Sequence, residues 1–166
     1  MKLTFSQPYV ELFMPDLSDT APDFTLPAGQ GPEITLSKLR PAPVVLFFYP
    51  RDDTPGCTKE SIGFSELLPA FEEMGVRVFG VSKDSISSHE KFAAKRNLSV
   101  PLLSDEHGQV CEDYGVWKEK NMYGKTYMGI ERTTFLIDGD GKIARVWRKV
   151  KVPGHMDEVL DAARAL

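Results

Sequence analysis

The chain reads as an α/β protein: a central mixed sheet flanked by helices, preceded by an N-terminal extension and a small hairpin. Val44, Val45, Leu46, Phe47 and Phe48 form a short apolar run between prolines, the pattern of a strand buried on both faces. From there to about Asn97, strand and helix alternate twice, which implies parallel pairing through right-handed crossovers. Further on, Thr133 to Ile137 and Ile143 to Trp147 flank a turn at Asp138 to Lys142, and a helix from His155 to Leu166 closes the chain.

Each element has a local reason. Phe24 to Leu26 and Ile34 to Leu36 flank a glycine-containing turn, Ala28 to Gly31, as a hairpin. The strand from Pro43 to Tyr49 ends where Pro50 disfavours helical geometry at the residue before it. A helix from about Pro55 to Met74 buries Ile62, Leu67, Leu68 and Phe71, and Gly75 stops it. Val76 to Val81 is a second apolar strand. Ser87 or Ser88 caps a helix carrying Phe92 and Ala93 toward Asn97. Leu102 and Leu103 continue the sheet, a short helix covers His107 to Tyr114, and Lys118 to Gly129 reads as a lysine-rich loop. A βαβ half followed by a ββα half is the thioredoxin-like arrangement, which does not by itself establish an activity.

With 166 residues the chain suits a single domain, 1–166, with residues 1–20 as an extension. That size buries around two thirds of the unfolded surface without covalent staples. The net charge of −4 and the absence of a basic stripe argue against nucleic acid as a partner. Pro8, Glu11, Pro15 and Asp16 break up the N-terminal apolar residues, so no signal peptide or membrane span is expected, and a cytoplasmic location is. Two cysteines are too few for a disulfide framework and suit a catalytic role in a reducing compartment.

The segment Tyr49 to Glu60, YPRDDTPGCTKE, carries the chemistry. Thr54 suits the N-cap and Pro55 the first helical position, which puts Cys57 third in the helix. Unpartnered N–H groups and the helix dipole favour a thiolate there. A free cysteine titrates near pH 8.5, and helix N-termini or nearby cations bring this down to roughly 3.5 to 7.5. Thr54, one turn earlier, is expected to set its hydroxyl near the sulfur.

With these residues in view, the chain resembles the peroxiredoxins of the peroxiredoxin Q type, the bacterioferritin comigratory protein group. The PxxxTxxC signature is Pro50, Thr54 and Cys57; APDFTL at Ala21 to Leu26, LLSDEHGQVCEDYGVW at Leu102 to Trp117 and GKTYMGIERTTFLID at Gly124 to Asp138 are similar too, so the likeness runs from about Ala21 to the C-terminus. The resemblance implies a thioredoxin-like fold and a thiol peroxidase with no cofactor, reducing hydrogen peroxide and organic hydroperoxides through a Cys57 sulfenic acid. It assigns the stabilisation of the departing oxygen to Thr54, the first-turn N–H groups and Arg132, and the shielding of the sulfur to Pro50. Glu60 either orients this network or is an exposed helix residue. The group implies a monomer or homodimer.

The chain also departs from the group. Many relatives have a second cysteine five residues after the first, where this chain has Ile62, and the next helix, His89 to Arg96, has none either. The remaining thiol, Cys111, sits in a short amphipathic segment and is read first as a packing residue and second as a resolving thiol. A one-cysteine cycle completed by an external thiol, from glutathione with glutaredoxin or from thioredoxin, is therefore expected. A redox sensor using the same cysteine, or a two-cysteine cycle through Cys111, are the alternatives. A dithiol oxidoreductase is disfavoured because no CxxC occurs.

No metal site is expected. His89, His107 and His155 are far apart in sequence, HEKFA lacks the second histidine of HExxH, and each is read as solvated. DGDGKI from Asp138 begins like a calcium loop but has Lys149 where the closing glutamate belongs.

Overall fold

The computed structural model describes residues 14–166. Its central sheet has five strands in the order β5-β4-β3-β8-β9: β3 (Val44–Phe48), β4 (Arg77–Ser82), β5 (Leu102–Ser104), β8 (Thr133–Ile137) and β9 (Ile143–Trp147). β3 lies at the middle, parallel to β4 and antiparallel to β8, so the sheet is mixed as expected. Every residue of β3 and β8 is buried, which is why β3 reads as an unbroken apolar run instead of an alternation.

The pleat sorts the core into two layers. Val44, Leu46 and Phe48 point into one layer, with Phe79, Tyr114, Phe135 and Cys111. Val45, Phe47 and Tyr49 point into the other, with Phe64, Phe71, Phe92, Val159 and Cys57. The second layer is covered by α1 (Pro55–Glu73), α2 (Ile86–Arg96) and α4 (His155–Arg164). The first is closed by the short α3 (Val110–Asp113) and by the hairpin of β1 (Thr25–Leu26) and β2 (Ile34–Thr35).

Several boundaries differ from the sequence reading. α2 is capped by Ser85, whose hydroxyl accepts from the Ser88 N–H at 3.1 Å, so the helix starts before Ser87. α3 is one turn, held by Asp105, whose carboxylate accepts from the Val110 and Cys111 N–H groups at 3.1 and 2.8 Å. The segment expected as a loop is a hairpin, β6 (Trp117–Met122) with β7 (Lys125–Ile130). Its two-residue turn, Tyr123–Gly124, has both φ values positive, 54° and 78°, the backbone that matches strand twist. Most of its residues are exposed on both sides, so no apolar alternation marks it in the sequence.

The last part of the N-terminal extension lies along the start of β9. Ser18 N–H donates to the Ile143 carbonyl and Ile143 N–H to that of Asp19, both at 2.9 Å. Residues 1–13 of the expected extension fall outside the described residues. Among the described residues, no helix is long and apolar enough to cross a membrane.

Candidate active site

The reactive segment is set by the end of β3. Tyr49 still donates its N–H to the Val81 carbonyl at 3.1 Å, and the half-buried Pro50 turns the chain out of the sheet. Asp53 takes a left-handed φ of 60°, Thr54 returns to extended backbone, and α1 begins at Pro55. Cys57 is thereby carried into the first turn and is fully buried. Thr54 occupies the cap position without capping through its side chain: the hydroxyl donates to the Arg51 carbonyl at 2.9 Å. No hydrogen bond joins it to the sulfur.

Arg132, in the turn between β7 and β8, reaches over this helix. Nη2 donates to Cys57 Sγ at 3.4 Å and Nη1 to Glu60 Oε1 at 2.7 Å. Its own carbonyl accepts the Val150 N–H at 3.0 Å, which fixes the arginine backbone. Room for the guanidinium comes from Gly56, where a Cβ would stand 3.0 Å from Nη2. Sequence reading had no signal for this glycine, because its φ is ordinary and the need arises from a residue far along the chain.

Glu60 is buried, not an exposed helix glutamate. Burial pushes its carboxyl up to about 7 against the opposing pull of Arg132. Burial also works against the charge on Arg132, but the facing Glu60 and Cys57 outweigh it and hold the guanidinium above its ordinary value. Glu60 Oε2 has no hydrogen-bond partner. It faces His155 Nε2 across 4.0 Å, and that nitrogen is 2.8 Å from Thr134 Oγ1. Burial brings the His155 imidazole down to about 4; Glu158 opposes this and Arg132 adds to it. Lys120 on β6 is half-buried, and its ammonium is lowered by burial and then by Arg132.

The expectation that the histidines are solvated fails for two of three. His155 and His89 are buried, and only His107 is largely exposed. His89 Nδ1 lies 2.8 Å from Asp52 Oδ2, and Nε2 lies 2.9 Å from the Leu103 carbonyl. Asp52 also accepts from the Tyr49 and Ser88 hydroxyls, each at 2.7 Å, and donates its N–H to Asp84 Oδ2 at 2.9 Å. This network ties the loop before Cys57 to α2 and β5. Asp52, Asp84 and His89 converge as metal ligands do, but the nitrogens of His89 and the oxygens of Asp52 are engaged by protein partners.

Cys111 is remote from this cluster. It is buried in the other core layer, and burial together with Asp105 pushes its thiol far up. Pro50, Thr54, Cys57 and Arg132 therefore belong to one end of the sheet, and Cys111 to the opposite face.

Comparison with known proteins identifies the family. Residues 17–146 match the model of the AhpC/TSA family. The putative peroxiredoxin bcp of Coxiella burnetii is 52% identical over 145 residues, covering 87% of this chain and 96% of that protein. Peroxiredoxin Bcp of Escherichia coli is 44% identical over 143 residues, 86% of this chain and 92% of that one. Among solved structures, the bacterioferritin comigratory protein of Xanthomonas campestris superposes with a TM-score of 0.83 at 44% identity, covering 91% of this chain and 96% of its own. The Xylella fastidiosa PrxQ does so with 0.87 at 41% identity, covering 92% and 98%. A buried first-turn thiol under an arginine, in a chain alike to these proteins over nearly its whole length, belongs to the AhpC/TSA family in its peroxiredoxin Bcp (PrxQ) branch, and is a thiol-dependent peroxidase.

Proposed function

We propose that the chain reduces hydrogen peroxide and organic hydroperoxides at Cys57, in a one-cysteine cycle completed by an external thiol. The contact of Arg132 Nη2 with Cys57 Sγ at 3.4 Å carries this reading, since it pairs the nucleophile with a fixed cation beside the position of the leaving oxygen. The relative from Xanthomonas campestris has been studied for alkyl peroxide reduction, which supports organic hydroperoxides as substrates.

The Cys57 thiolate attacks the terminal peroxide oxygen, the O–O bond breaks, and sulfenic acid forms as water or an alcohol departs. Arg132 and first-turn N–H groups stabilise the charge developing on the departing oxygen. Thr54 serves through the lone pairs of a hydroxyl whose proton is committed to Arg51, holding the incoming peroxide by its O–H. Pro50 walls off the sulfur from water, and Glu60 keeps Arg132 in place through the 2.7 Å bond.

The external thiol follows from the sheet that separates the two cysteines and from Ile62 at the local resolving position. Steady-state peroxide consumption with glutathione and glutaredoxin, compared with thioredoxin and its reductase, tests the cycle. Turnover with at least one of these and none in Cys57→Ser is expected. Full turnover in Cys57→Ser would overturn the assignment.

A further inference from the structure

Two acids share one guanidinium in this site. Arg132 donates Nη1 to Glu60 and Nη2 to Cys57, and both acids are fully buried. If both were ionised, two buried negative charges would face one positive one, an arrangement in which one acid keeps its proton. The second cation nearby, Lys120, is only half-buried and stands on β6.

The geometry says which acid keeps it when the sulfur is the nucleophile. Glu60 Oε1 is satisfied by Arg132, while Oε2 has no donor at all. A bare carboxylate oxygen in a buried site is costly, and a carboxylic O–H at the same place is much less so. That oxygen faces His155 Nε2, a nitrogen whose ring is buried and held by Thr134. At 4.0 Å the two do not hydrogen-bond, and for Nε2 to accept the Glu60 proton its single lone pair exchanges Thr134 Oγ1, now at 2.8 Å, for the carboxyl. The upward push on Glu60 and the downward push on His155 both agree with a proton on the carboxyl and a neutral imidazole. The charged groups facing the pair are Arg132 and Cys57 on one side and Glu158 beyond His155, with Lys120 and Glu131 at the outer edge.

We propose, resting on the peroxidase cycle above, that Glu60 stores a proton while Cys57 is ionised and gives it up when the sulfur is oxidised, with His155 as the positioning residue toward which that proton points. The balance closes. The thiolate forms an S–O bond as the O–O bond breaks, so sulfur is oxidised by two electrons and the peroxide reduced. The alkoxide or hydroxide leaves carrying one negative charge, and Glu60 releases one proton, so alcohol or water is formed and Arg132 then pairs with a carboxylate. When an external thiol regenerates the Cys57 thiol, its proton returns to Glu60. The pocket carries the same net charge at every stage.

Infrared difference spectroscopy on the full chain tests this, using one equivalent of an alkyl hydroperoxide just below neutral pH, with mass spectrometry of the same sample to report Cys57 oxidation. Loss of a protonated-carboxyl stretch and gain of a carboxylate band are expected in the wild type, with neither in Glu60→Gln. The lost band should move in His155→Gln. An unchanged carboxyl region in wild type whose Cys57 is oxidised overturns the proton store, as does the same difference spectrum in Glu60→Gln. A band that stays put in His155→Gln removes His155 from its role. An unoxidised Cys57 instead sinks the peroxidase reading itself. Proton counting with a pH indicator needs no variant: where thiolate absorbance is present, oxidation should take up no proton from solution, and uptake of one per sulfur would overturn the store.

Discussion

Cys57 and Cys111 are buried on opposite faces of the same sheet, with the β3 side chains of Val45, Phe47 and Tyr49 on the Cys57 side and those of Val44, Leu46 and Phe48 on the other. A disulfide needs Cα atoms roughly 4.4 to 6.8 Å apart with nothing between them. One equivalent of peroxide should therefore leave no Cys57–Cys111 bond in peptide mass spectra, and excess peroxide without reductant should carry Cys57 to sulfinic acid. Finding that bond in most molecules would require one of the two thiols to leave its core layer and would end the one-cysteine cycle.

Arg132→Met removes the cation from the sulfur and strands Glu60. Loss of one fixed donor to a developing oxyanion slows reactions about 10² to 10³-fold, and a drop of that order is expected in the second-order rate with hydroperoxide. Arg132→Lys should recover little of it, because an ammonium cannot donate to Glu60 and Cys57 in the forked geometry seen here. Stopped-flow oxidation rates check both variants.

Glu60 and His155 give stability opposite slopes with pH. The Glu60 carboxyl is raised from 4.5 to about 7, so the folded state binds its proton more tightly; that contribution is complete below 4.5 and lost as pH rises through about 7. The His155 imidazole is lowered from 6.5 to about 4, so the folded state resists its protonation, and stability is lost as pH falls from 6.5 toward 4. Replacing Glu60 with Gln should remove the first slope, a difference of roughly 3 kcal/mol between mildly acidic and mildly alkaline solution. Urea unfolding across that range measures it; an unchanged slope in the variant would contradict the raised carboxyl.

Gly56→Ala tests the fit of the guanidinium against α1. The new Cβ would meet Nη2 at 3.0 Å, and the far end of a flexible arginine can yield by a few tenths of an ångström. Folding should be little affected, while the rate with hydroperoxide should fall roughly tenfold, because small misplacements of a charge-stabilising group cost far more in rate than in stability. A variant that unfolds at lower urea but reacts at the wild-type rate would show the opposite.

Asp52→Asn should destabilise the chain by about 2 kcal/mol, since it removes the carboxylate shared by His89 and the Tyr49 and Ser88 hydroxyls in a buried site. Asp53 next to it, paired with Lys95 and Arg96 at the surface, is the control: Asp53→Asn should leave the urea midpoint nearly unchanged. Thermal and urea unfolding of the two variants side by side separates them.

What the sequence disclosed and what it withheld divide along a physical line. β3, α1 and the placement of Cys57 follow from a local apolar run, a proline at the first helical position and a cap residue, all readable within one stretch of chain. Arg132 is singled out only by likeness to a family, since nothing local distinguishes it from a surface arginine. The β6–β7 hairpin leaves no mark in the sequence because a strand pair exposed on both faces carries no apolar alternation. The burial of His89 and His155 is not legible locally, because their partners Asp52, Leu103 and Thr134 are each distant in sequence. Thr54 holds its expected position, but its hydroxyl is turned to Arg51 by a turn whose shape no single residue announces.

The Val150 N–H that fixes the Arg132 carbonyl and the His155 ring behind Glu60 both come from chain that follows the last strand. Contacts of such long sequence separation form late in folding and slow it. During synthesis, β3 and α1 emerge well before the elements that hold Arg132, so a nascent chain carries Cys57 without its fixed cation. Peroxidase competence is thus a property of the finished tertiary structure, acquired in the last step of assembly, and the early βαβ half by itself is an ordinary thiol-bearing fold fragment.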